Sequence, residues 1–187
     1  MGVSHDAPET DDNFVKLAKQ CQEYSYALEA VDSDFKRYVK SVENLGTSAD
    51  KFSNVLQKAV TQSGSKEEEL KNDAMKANIA SWKEECEEAR GQLKPLIDEI
   101  AQILKHVHER NKSGQDYEKE RKKAEKHKDK DAAKAELAQK EADRIKEQFD
   151  KHHADTLAEL EAWDKEKEGK FAPVNQALQK CMGLVFA

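Results

Sequence analysis

The chain has 187 residues, 37% of them charged, a net charge of -6 and a mean hydropathy of -0.98. No apolar run approaches the 18 residues a membrane-spanning helix needs, and the acidic balance disfavours non-specific nucleic-acid binding. Three widely spaced cysteines, Cys21, Cys86 and Cys181, make no disulfide framework and read as reduced thiols used as small hydrophobes in a cytosolic protein.

So polar a composition raises disorder as an alternative, but the apolar periodicity below argues against it. Seven Gly and three Pro among abundant Ala, Glu and Lys point to an all-α chain. Residues 1–12 read as an acidic flexible tail without the apolar core of a signal peptide. Its Met-Gly start carries Asp6 at the sixth position, where a myristoylation motif has Ser or Thr. Asp11, Asp12 and Asn13 are candidate caps for a first helix over about 13–62. That helix carries an unbroken stripe at alternating steps of three and four: Phe14, Leu17, Cys21, Tyr24, Leu28, Val31, Phe35, Tyr38, Val42, Leu45, Ala49, Phe52, Leu56 and Ala59. A strand has period two, whereas a 3.5-residue repeat keeps one seam of a helix against helical partners. Gly46, beside Thr47 and Ser48, is expected to interrupt or bend the helix, and Gly64 to close it.

A second helix is expected over about 66–127. Its stripe runs Met75, Ile79, Trp82, Cys86, Ala89, Leu93, Leu96, Ile100, Ile103 and Val107, then in phase through Arg110, Gly114, Tyr117, Arg121 and Ala124. The seam thins towards Lys128, as where a hairpin leaves a main body. Residues 127–131 contain no apolar residue and read as a tight turn. The third helix, about 132–186, carries Leu137 or Ala138, Ala142, Ile145, Phe149, Thr156, Leu160, Trp163, Phe171, Val174, Leu178, Met182 and Val185. Short connections make consecutive helices antiparallel. Pro95 and Pro173 each stand four residues after a glycine, Gly91 and Gly169, a pattern that kinks a helix. A turn centred near Lys134 would set the two prolines level; a turn centred at Asp129 would offset them by about ten residues.

Three long kinked helices in a coiled coil resemble the BAR (Bin/amphiphysin/Rvs) domain family. The most specific stretch is Arg110-Asn111-Lys112-Ser113-Gly114-Gln115-Asp116-Tyr117-Glu118-Lys119-Glu120-Arg121. It is similar to the family's second-helix segment of a basic group, Asp-Tyr-Asp, and an Arg four residues after the Tyr, with Glu118 in place of the second Asp. Phe35-Lys36-Arg37-Tyr38 through Leu45, Ala49 and Phe52 is similar to the family's first helix, and residues 134–149 to the start of its third. The resemblance covers about residues 13–186. It implies a homodimer, two three-helix units forming a crescent-shaped six-helix bundle, with the seam Phe14, Leu17, Tyr24, Leu28, Val31, Phe35, Tyr38, Val42, Leu45, Phe52 and Leu56 at its core. It also implies binding of anionic phospholipid membranes, with curvature sensing or scaffolding in endocytosis or membrane trafficking by a cytoplasmic, peripherally bound protein. The membrane-binding residues it implies are Arg110, Lys112, Lys119, Arg121, Lys122, Lys123, Lys126, Lys128, Lys130 and Lys134. Residues 1–12 lack the basic amphipathic wedge some members insert, so no insertion is expected.

Charge distribution agrees with that assignment. From Lys105 to Lys146 there are 14 Lys or Arg against 10 Asp or Glu, a net of +4, so the remainder carries -10. A tip of net +4 is worth about 4 kcal/mol at an anionic surface, a millimolar affinity. The alternative is a solvated Lys/Glu face, the usual meaning of a charge run. Catalysis finds no support: there is no Gly-rich phosphate loop, nucleophile elbow or Cys-x-x-Cys pair, and His106/His108 and His152/His153 lack the i, i+4 spacing of a metal pair. No enzyme, metal or cofactor is expected. The competing reading is a protein-binding helical scaffold, for instance an effector of a small GTPase or a binder of cytoskeletal or endocytic proteins. A spectrin-like spacer is disfavoured because helices of about 50 to 60 residues are too long for it.

Overall fold

A computed structural model describes residues 11–62 and 73–184, and over them the chain is all-helical. α1 is Asp12–Gln62, α2 Asp73–His127 and α3 Ala132–Leu184. The expected start of the second helix near residue 66, the stop at Gly64, the tail over residues 1–10 and the stripe position Val185 lie outside the described residues. Asp12, assigned by sequence to the tail, is instead the first residue of α1. Asp11 caps it, its Oδ1 accepting from the Asn13 amide at 2.9 Å, so one of the orphan N–H groups of the first turn is satisfied.

The helices divide into two compact units. The first combines Met1–Tyr26 with Ile97–Glu168. Its core is Phe14, Leu17, Ala18 and Cys21 of α1, Ile100, Ile103 and Val107 of α2, and Phe149, Leu160 and Trp163 of α3. Each such side chain taken from water contributes roughly 1.5–3 kcal/mol for the larger aliphatics and aromatics. The contacts give the directions. Phe14 meets His153 and Tyr24 meets Trp163, so α1 and α3 run parallel. His106 pairs with Glu159 and Arg110 with His153, so α2 runs against both. Past Arg110 and His153 no residue of α1 remains, and α2 and α3 continue as a two-helix hairpin. Its seam has small residues at the buried positions Gly114, Ala124 and Ala142, with Tyr117 and Ile145 half-buried between them.

The second unit combines Ala27–Leu96 with Gly169–Ala187. Its buried side chains are Leu28 and Phe35 of α1, Trp82, Cys86, Ala89 and Leu93 of α2, and Val174, Leu178 and Cys181 of α3. Trp82 donates through Nε1 to the Cys181 carbonyl at 2.7 Å, which supplies a partner to an orphan carbonyl of the last turn of α3. The Tyr38 ring stands edge-on to Trp82 at 5.8 Å. Arg90 reaches Asp32 at 2.7 Å and Lys83 reaches Glu43 at 2.7 Å, tying α2 to α1.

Three expectations change, and one left open is decided. α1 runs through Gly46 without interruption. Gly46 is buried, and a Cβ there would lie 2.5 Å from Ile79 Cδ1, so its missing side chain serves the close approach of α2. The α1 stripe is also unevenly buried. Phe14, Leu17, Leu28 and Phe35 are in the core and Tyr24, Val31, Tyr38 and Val42 are half-buried, but Leu45, Phe52 and Leu56 are exposed at 66%, 69% and 38%. On α3, Leu137 and Met182 face out, while Ala138 is half-buried and Cys181 takes the core position. The level of the prolines, left open between two turn centres, falls nearer the level alternative: Pro95 and Pro173 lie inside continuous helices about three residues out of step. Counting from the Glu85–Lys180 ion pair, Pro173 falls near the level of Gly91 and Pro95 near that of Gly169. The prolines are thus offset by about one helical turn.

Candidate functional site

The hairpin end follows directly from its sequence. α2 closes at His127, and the amides of Lys130 and Asp131 both bond the His127 carbonyl, at 3.0 and 2.9 Å. Asp131 caps α3: its Oδ1 accepts from the Lys134 amide at 3.1 Å. That bond, with the Lys134 ammonium, holds the Asp131 carboxyl below the usual carboxylate range.

Around this turn Lys112, Lys119, Arg121, Lys122, Lys123, Lys126, Lys128, Lys130 and Lys134 are all exposed. At 100° per residue, Lys112, Lys119, Lys122, Lys123 and Lys126 fall within about a 100° arc of α2. That arc is opposite the seam of Gly114, Tyr117 and Ala124, which explains its exposure. Asp116 borders it. Three of the cations have partners: Arg121 makes a bidentate pair with Glu118 at 3.1 and 3.0 Å, Lys123 meets Glu120 at 2.6 Å, and Lys134 meets Asp131 at 3.0 Å. The Glu118 pair raises the Arg121 pKa further above its usual value. Lys112, Lys119, Lys122, Lys126, Lys128 and Lys130 make no ion pair among the described residues. Exposed pairs of this kind contribute little to stability, so the basic face is largely available to a partner.

Arg110 does not belong to this surface. It is 1% exposed. Its guanidinium lies between the rings of Phe14 and Phe149, 4.5 Å from each centroid. Nε donates to His153 Nδ1 at 3.3 Å and Nη1 to Asn111 Oδ1 at 3.0 Å, while Nη2 is buried without a hydrogen-bond partner among the described residues. Burial pulls its pKa below the usual guanidinium value, against the pull of Asp11. The resemblance placed Arg110 on the membrane-facing side; the seam phase placed it inside, and the seam phase prevails. It costs less to bury a guanidinium here than elsewhere, because two ring faces supply cation–π attraction in place of water.

Next to this cluster, His106, Glu109, His152, Asp155, Thr156 and Glu159 line a cleft of about 210 Å³ between α2 and α3. His106 Nδ1 lies 2.7 Å from Glu159 and Ser113 Oγ lies 3.2 Å from His152 Nδ1. Sequence reasoning treated these histidines only as failed metal pairs on single helices. Their cross-helix partners follow from the hairpin register, which the sequence left open between two centres. Among the described residues no group of three or more His, Cys, Asp or Glu could hold a metal ion. The thiols are packing groups: burial pushes Cys21 up to about 12 and, with Cys181 beside it, Cys86 up to about 12. Among the described residues no helix is long and apolar enough to cross a membrane.

No protein-family model matches the chain, and no curated protein matches it.

Proposed function

We propose that this chain is a scaffold for anionic membrane surfaces, binding through the basic end of the α2–α3 hairpin and acting as a homodimer. The observation that carries the reading is the exposed arc of Lys112, Lys119, Lys122, Lys123 and Lys126, continued by Lys128 and Lys130 at the turn. A cationic face without an apolar stripe beside it attracts phosphate headgroups and does not enter hydrocarbon. The similarity to BAR domains along α1–α3 adds the expectation that the dimer senses or stabilises curvature on the cytoplasmic side, in endocytosis or trafficking. The dimer itself is supported by the α1 stripe, which continues past its covered part into exposed Leu45, Phe52 and Leu56. A second copy carries the same apolar stripe and gives it an occupant.

Co-sedimentation with phosphatidylserine-containing vesicles at graded salt tests the reading. Binding is expected to fall steeply between about 0.05 and 0.3 M salt, because exposed charges are screened within about a Debye length. A Lys122/Lys123/Lys128/Lys130→Glu variant is expected to bind at background level. Wild-type binding that is absent or insensitive to salt, or full binding by the variant, defeats the membrane reading. The pairing of Arg121, Lys123 and Lys134 with acids favours the second reading, a solvated face on a protein-binding scaffold. That reading gains if the chain ignores vesicles but still dimerises.

A further inference from the structure

Arg110 and His153 form a contact with an unusual charge requirement. The Arg110 Nε–H points at His153 Nδ1, 3.3 Å away. A guanidinium has no acceptor and never releases its proton in practice, so Nδ1 must be the acceptor and the ring must be neutral with its proton on Nε2. The His153 ring also stacks on Phe149, 6.0 Å between centroids, and tilts against Phe14 at 5.1 Å. Phe14 sits in the first turn of α1, Arg110 on α2, and Phe149 and His153 on α3. One cluster therefore fastens the beginning of α1 to the α2–α3 hairpin at the level where three helices become two.

We infer that the Phe14–Arg110–Phe149–His153 cluster is an acid-sensitive latch, closed while His153 is neutral and opened when His153 takes up a proton. Protonation removes the side-chain acceptor that Nε has among the described residues and sets an imidazolium against a guanidinium already buried between two rings. No carboxylate pairs with Arg110 among the described residues to absorb the second charge. The charged groups facing His153 are Arg110 from α2, Asp11 ahead of α1 and Asp150 on α3. Burial and Arg110 hold His153 below its ordinary value of 6.5, and the two aspartates oppose them with smaller effect. A group whose folded-state pKa is depressed stabilises the fold above its unfolded pKa, and that stability is lost as pH falls. The latch is thus secure above about pH 6.5 and weakens progressively below it.

The release is local. What opens is the seat of Phe14 and the capped first turn at Asp11, while the rest of the α1 stripe, from Leu17 onward, keeps its own contacts. This latch is independent of any ligand on the basic surface, so its test needs none.

His153→Gln retains an acceptor for Arg110 and cannot be protonated. Hydrogen exchange of the full chain at pH 7.5 and 5.5, corrected for intrinsic rates, reads the latch. In the wild type, protection of the amides of residues 15–18, which bond the carbonyls of the first turn, is expected to drop several-fold at pH 5.5, a single histidine allowing about tenfold at most, with residues 97–107 unchanged; in His153→Gln the drop is expected to vanish. An equal acid-induced loss in both proteins, or a loss spread evenly along all three helices, overturns the proposal. Should the variant fail to fold, proton NMR of the wild type decides instead. His153 is expected to titrate below the ordinary histidine value of 6.5, and a midpoint at or above it overturns the latch as well.

Discussion

Arg110 tests how a buried cation with no ion pair among the described residues is tolerated. Two aromatic faces contribute about 0.5–2 kcal/mol each at such a site, against the cost of desolvating the guanidinium. Arg110→Met keeps the volume and chain shape while removing the charge, so thermal denaturation is expected to show little loss or a gain in stability. Arg110→Lys retains the charge but loses the planar stack, and is expected to be the more destabilising by at least about 1 kcal/mol. The reverse order would mean that the stack contributes little. Gly46 poses a second residue-scale question, because its Cβ would lie 2.5 Å from Ile79 Cδ1. Alanine in a helix gains about 1 kcal/mol over glycine, and turning the end of Ile79 aside costs about as much. Gly46→Ala alone is expected to be near neutral. In an Ile79→Val background, which lacks that methyl, the same change should stabilise by about 1 kcal/mol, and a double-mutant cycle reads the coupling.

Much of the helical framework was legible because period alone carries it. The stripe Phe14 to Phe35 is covered in the chain itself, and the turn at residues 127–131 is where the apolar pattern lapses. What stayed hidden depends on register between helices. A 3.5-residue repeat says which face is inward but not which residues stand level, so the pairs Arg110–His153 and His106–Glu159 and the offset of Pro95 from Pro173 required the structure. Arg110 shows the limit most clearly, since its seam phase and its charge pointed in opposite directions. The glycines beside the prolines extend the same point. Nothing lies within 4 Å of a Cβ built at Gly91 or Gly169. Neither is held to glycine by packing, so each change to Ala is expected to stabilise its helix by about 0.5–1 kcal/mol. That corresponds to a rise of roughly 1–4 °C in Tm for a chain of this size. A loss of stability in either variant would show that its helix needs backbone freedom next to its proline.

At the scale of the molecule, the proposed membrane affinity and the proposed dimer depend on each other. One hairpin end with a net charge of +4 has a millimolar affinity by the usual value of about 1 kcal/mol per cation. A dimer carries two such ends, and the second contact forms at an effective concentration set by the first, which raises the overall affinity by about 10²–10⁴. Breaking the dimer should therefore weaken vesicle binding without touching a single lysine. Phe52 suits the purpose, being 69% exposed within its own chain. Phe52→Asp should cost the isolated chain no more than about 0.5 kcal/mol, as surface changes do, while placing a charge in the apolar contact between copies. Light scattering at micromolar concentration is expected to give a dimer mass for the wild type and a monomer mass for Phe52→Asp, and vesicle co-sedimentation should drop at least tenfold in the variant. A wild-type monomer defeats the dimer outright. A monomeric variant that still binds vesicles at full strength would instead separate the two activities and leave the lysine arc sufficient alone.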